Sequence, residues 1–294
     1  MKKTKKSAFV LPKTIQLTFI SVAIAAYIIE SIHWINILSR TYPNGLRLSQ
    51  FSVMAIGTLL LPIILFATSF LAYKKNINKF DTLFNATLMT VIGLAIYVLV
   101  FTAEWKLLQN PNIIFESPWR PAISMIVAFA LFIGLQLLIV KSSKRTSITK
   151  KIQMTTICIM GIVFIINTIT NLWDLVSRHV GSIDIMNFFT HQQFVIAIIL
   201  PLIFLVAAYF ILPKTASKTN RLFTAVVYAL TGVLTMNATI IATYLVLTLL
   251  PPSRSTALHI IEFQTIAAAI LGVTIFSILL LTPAQSKVRL KKSR

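Results

Sequence analysis

Continuous apolar runs of about 20 residues recur from one end of this chain to the other, and no feature constrains its fold more. About 20 apolar residues in a helix cross roughly 30 Å of hydrocarbon. Eight such stretches can be marked, at 15–38, 51–73, 82–103, 121–140, 152–173, 194–212, 222–250 and 258–281. The runs are continuous and do not alternate, so membrane strands are not expected. Helices satisfy every backbone group within such segments. The expected fold class is therefore all-α, a polytopic membrane protein with eight transmembrane helices.

Charge then sets the orientation. The chain has 27 Lys and Arg against 7 Asp and Glu, a net charge of +20, within a sequence that is 57% hydrophobic. The cations are not spread evenly. Of the 27, 21 fall in segments 1–14, 74–81, 141–151, 213–221 and the tail after 281, all on one side of the eight-span arrangement. Only Arg40, Arg47, Lys106, Arg120, Arg178 and Arg254 fall on the other. Cationic loops stay in the cytoplasm, so both termini are expected inside, in the plasma membrane. Asp81 is the one acid on the basic side. Glu30, Glu104, Glu116, Asp174, Asp184 and Glu262 lie on the outer side, which is left balanced.

The partners expected from this are the bilayer and anionic lipid head groups at the cytoplasmic face. Nucleic acid is not expected, because the cations sit in small clusters at helix ends with no folded domain to shape them. Nothing in the sequence specifies a protein partner or a homo-oligomer. The start resembles a secretory signal, with Ala23-Ile24-Ala25 at a possible cleavage site, but the apolar run continues to Leu38 and an uncleaved first span is expected. The single cysteine, Cys158, is mid-span, so neither a disulfide framework nor a cysteine metal site is expected.

Shifting the chain by 139 residues aligns Trp34 with Trp173, Leu61-Pro62 with Leu200-Pro201, Leu83-Phe84 with Leu222-Phe223, and Gly93 with Gly232. Trp, Pro and Gly are scarce here, so their shared offset predicts a four-plus-four internal repeat. Halves with an even number of spans share orientation, a parallel repeat. The organisation expected is a basic N-terminus (1–14), a first four-helix unit (15–140), a basic loop (141–151), a second unit (152–281) and a basic tail (282–294). Pro62 and Pro201 are read as kinks within their spans.

All four histidines, His33, His179, His191 and His259, fall on the outer side. Glu30 with His33, and His259 with Glu262, are three residues apart, which places each pair on one helix face. Such spacing is used by carboxylate-bridged metal sites, though those need further carboxylates. Glu30 lies about 24 Å along the first helix from Thr14, inside the membrane, where an ionisable group is costly and points to function. Trp34, Trp105, Trp119 and Trp173 form an aromatic belt. Asn167, Thr168, Thr170, Asn171, Asn237 and Thr239 are expected to bond between helices. No phosphate loop, Rossmann fingerprint, Gly-x-Ser-x-Gly elbow or His-Glu-x-x-His occurs, and no cofactor is expected.

Asn187-Phe188-Phe189-Thr190-His191-Gln192-Gln193-Phe194 opens the sixth span, Leu230-Thr231-Gly232 lies in the seventh, and Leu258-His259-Ile260-Ile261 opens the eighth. This stretch, from about Arg178 to Gly272, resembles the androgen-induced-protein-like membrane threonine hydrolases and their bacterial relatives. The resemblance implies hydrolysis of a lipid ester, with Thr190 as nucleophile and His259 as general base. A hydroxyl does need an adjacent base to attack. A second expectation is a proton- or metal-linked transporter, or an ion-binding protein, using Glu30, His33, His259 and Glu262. A third is a non-catalytic sensor or assembly factor.

Overall fold

In the computed structural model, residues 11–43, 45, 50–74, 77–107, 119–141, 145–178, 198–212, 217–249, 270–275 and 277–278 are described. Seven helices run through them. They are α1 (Lys13–Thr41), α2 (Gln50–Tyr73), α3 (Lys79–Leu107), α4 (Trp119–Val140), α5 (Arg145–Arg178), α6 (Leu200–Ile211) and α7 (Lys218–Leu249). Residues 270–275 are also helical, and no strand occurs among the described residues. Six of the helices, all but α6, are long and apolar enough to cross a membrane. The all-helical expectation holds.

Several boundaries differ from the sequence reading. Residues 145–151, expected in the basic loop, form the first turns of α5. Lys151, in the second turn of α5, donates from Nζ to the Leu138 carbonyl at 2.8 Å, one of the carbonyls near the end of α4. Pro62 is inside α2 as expected, and Pro201 stands at the start of α6, directly after the π-helical residues 198–199.

Helices α3 and α7 form the centre. Buried residues make up 44% and 56% of their apolar windows, against 17–33% for α1, α2, α4 and α5. Helix α3 packs on α1, α2, α4 and α5, and α7 packs on α1, α5 and α6. These two central helices are not purely apolar. Thr87, Thr90, Thr224, Thr231 and Thr235 are buried. Each hydroxyl donates to the carbonyl four residues earlier, at 2.8–2.9 Å, so burial leaves no donor stranded. On α7 this forms a ladder, since Thr239 donates to Thr235 and Thr243 to Thr239.

Packing between α2 and α3 and between α6 and α7 rests on two glycines. A Cβ on Gly93 would lie 2.8 Å from Leu65, and one on Gly232 2.7 Å from the Phe204 ring. Leu65 and Phe204 are both 1% exposed. The glycines are 139 residues apart and so are the side chains that fill them. Phe84 and Phe223, and Ala86 and Ala225, share that offset and are equally buried. The N-terminal ends of α1 and α5 differ. There the matching buried residues are Leu11, Ile15 and Gln16 with Ile148, Ile152 and Gln153, a spacing of 137.

Between α2 and α4 the buried amide of Gln136 donates to Ser69 Oγ at 2.5 Å, and Ser69 donates on to the Leu65 carbonyl. Ser124, near the start of α4, donates to Glu104 near the end of α3.

Candidate functional site

Glu30 and His33 lie on the inward face of α1. Ile24, Ile28, Ile32 and Ile35 are each 50–56% exposed and form one stripe, the apolar surface a lipid-facing helix presents. At about 100° per residue, Glu30 and His33 fall on the opposite side of α1 from that stripe. Their neighbours agree with this. Tyr27, on the same half of the helix, donates its hydroxyl to the Leu59 carbonyl of α2 at 2.7 Å. The His33 ring meets the Tyr244 ring of α7 edge to face, with centroids 5.4 Å apart.

Glu30 and His33 do not bond to each other. Glu30 Oε1 accepts from Trp34 Nε1 at 2.8 Å, one helical turn outward. This gives Trp34 a polar role beyond the aromatic belt expected of it. His33 Nδ1 and Ser31 Oγ are buried and have no hydrogen-bond partner. An orphaned ring nitrogen beside a carboxylate on an inward face is the feature of this seam that packing alone does not account for.

Tyr244 had no place in the sequence reading. Its signal was faint: it stands seven residues after Asn237, two turns along the same face of α7. Asn237 is exposed in the structure, so it opens onto the bundle's surface and is not a packed bridge.

The expectation of interhelical bonding fails for three threonines. Thr168 and Thr170 donate to carbonyls of their own helix α5, and Thr239 to one of α7. A threonine hydroxyl reaches the carbonyl of the preceding turn without any help from a neighbour, and that local bond wins.

Thr190, His259 and Glu262, together with His179 and His191, lie outside the described residues. Among the described residues no cluster of three or more His, Cys, Asp or Glu could hold a metal ion. Glu30 and His33 therefore supply at most two ligands. Cys158 is free and exposed on α5.

No family model matches this chain, and neither the curated proteins nor the solved structures compared with it give a match.

Proposed function

We propose that this protein is a plasma-membrane carrier or ion-binding protein whose outward seam between α1 and α7 uses Glu30 and His33 to bind and release a proton or cation. The observation that carries this reading is the unpartnered, buried His33 Nδ1 on the inward face of α1, one turn from the Glu30 carboxylate. Ionisable groups at membrane depth are costly, and one facing other helices is a functional site by default. Protonating Glu30 would remove the charge that strengthens its bond from Trp34. His33 Nδ1 has no protein partner, so it is free to meet an ion that enters the seam.

Reconstitution in vesicles with an imposed proton gradient tests this. A proton- or metal-dependent flux is expected, abolished in Glu30→Gln and sharply reduced in His33→Gln. Equal flux in wild type and Glu30→Gln would refute it.

The architecture proposed with it is eight spans, with both termini in the cytoplasm, made of two parallel four-helix units. The matched glycine seats at a spacing of 139 support the duplication. The spacing of 137 at the inner ends of α1 and α5 means two residues are gained before the second helix of the later unit. A fluorescent protein fused at the C-terminus is expected to fluoresce, and alkaline phosphatase fused there to stay inactive.

The threonine-hydrolase resemblance of residues 178–272 supports a second proposal, ester hydrolysis by Thr190 and His259 near the outer leaflet. It requires turnover of a long-chain ester that Thr190→Ala abolishes. Active-site probes labelling both forms equally would dismiss it.

A further inference from the structure

Helix α6 packs on α7, and α5 packs on α7, but a groove of about 480 Å³ separates α5 from α6. That volume is within the range of small-ligand pockets, about 300–1,000 Å³. Its walls are apolar, with Met154 and Ile157 from α5, Leu205 and Phe210 from α6, and Leu222 from α7. One end is different. Lys218 and Thr219, the first two residues of α7, line the groove at the membrane face that carries most of the chain's cations.

That end is organised for an anion. Ser217 caps α7, its hydroxyl accepting from the Asn220 N–H and its carbonyl from the Arg221 N–H. The positive end of the helix dipole therefore opens beside the Lys218 ammonium. Arg221 secures the neighbouring wall. Its guanidinium lies 4.5 Å from the centre of the Tyr209 ring and donates to the Tyr209 carbonyl at 2.5 Å. Tyr209 in turn lines the groove.

From this we infer that the groove is a binding site for one anionic glycerophospholipid, with an acyl chain between α5 and α6 and the phosphate at Lys218, Thr219 and the start of α7. Charge complementarity selects the occupant. A zwitterionic lipid fills the apolar part equally well but brings a cation to Lys218, whereas an anionic head group does not. The inference is independent of Glu30 and His33, which belong to a different seam.

The test is native mass spectrometry of the full chain released from vesicles of equal phosphatidylglycerol and phosphatidylcholine. Wild type is expected to retain one phosphatidylglycerol preferentially. Lys218→Gln should lower that retention about fivefold, the attraction of one surface cation for an anionic leaflet. Val206→Trp, which places a ring in the groove from a lipid-exposed position, should lower retention of both lipids. Lys79→Gln, at the corresponding start of α3, should leave retention at the wild-type level. Equal retention of the two lipids by wild type would overturn the proposal. So would unchanged retention in both groove variants, or an equal loss in Lys79→Gln, which would reduce the effect to overall charge. Each variant's thermal transition in detergent identifies any loss that comes from unfolding.

Discussion

The pair α2/α3 and the pair α6/α7 are built alike, while α1 and α5, the helices that precede them, are not. In each pair a glycine on the third helix receives a buried side chain from the second, Leu65 at Gly93 and Phe204 at Gly232. In each, the N-terminal part of α3 or α7 buries a phenylalanine and an alanine at matching positions. Helix α1, by contrast, presents Glu30, His33 and Trp34 to its neighbours, whereas α5 presents Ile165, Ile169 and the exposed Cys158 to lipid, with its threonines bonded to its own backbone. The lesson is a division of labour. The shared pairs fix the bundle, and Glu30 and His33 are carried by a helix outside them, as Glu104 is carried at the end of α3.

The largest effects should come from the two filled seats. Phe204→Ala is expected to cost about 3–5 kcal/mol and Leu65→Ala about 2–5 kcal/mol, the range for emptying a packed core site. Thermal or denaturant unfolding in micelles measures both. A cost below about 1 kcal/mol at either position would break the likeness between the pairs.

Filling the seats should cost less. Gly232→Ala meets the stiff Phe204 ring, and a loss of about 1–3 kcal/mol is expected. Gly93→Ala meets Leu65 at 2.8 Å and the buried Phe132 ring at 3.1 Å, so a loss in the same range, about 1–3 kcal/mol, is expected. Phe204→Leu combined with Gly232→Ala should recover most of the stability, and a strictly additive double mutant would contradict the contact.

Smallest is the buried polar link between α2 and α4. Ser69→Ala removes the acceptor for the Gln136 amide. Interhelical hydrogen bonds in membranes average about 0.6 kcal/mol and reach about 1.7, so a loss in that range is expected. Ala208 stands 139 residues after Ser69 and is equally buried, so Ala208→Ser should bring no gain in stability.

The spans were legible because length and hydropathy are properties of one segment at a time. The positions of Gly93 and Gly232 in a shared offset were legible for the same reason, although the side chains seated on them were not. What α1 touches was not legible. Its contact with α7 joins residues more than 200 apart, and nothing in Tyr244 itself announces His33 as a neighbour. Glu30 stood out because a carboxylate within an apolar run is rare, yet its bond to Trp34 was hidden by the equally good spacing to His33. The threonines misled for a physical reason: the same hydroxyl satisfies its own helix or a neighbouring one at similar cost. Thr190 and His259 lie outside the described residues, so their convergence rests on the sequence alone.

The threonine ladder on α7 has a mechanical side. Hydroxyls that bond to the carbonyl of the preceding turn compete with the helix's own ladder and ease its bending. From Thr231 to Thr243, four such bonds follow one another along a single line of α7. At their start Gly232 packs against α6, and at their far end Tyr244 meets His33. The most buried of the described spans is thus also a spring, with the Glu30 and His33 seam towards one end and the groove beside α5 and α6 at the other.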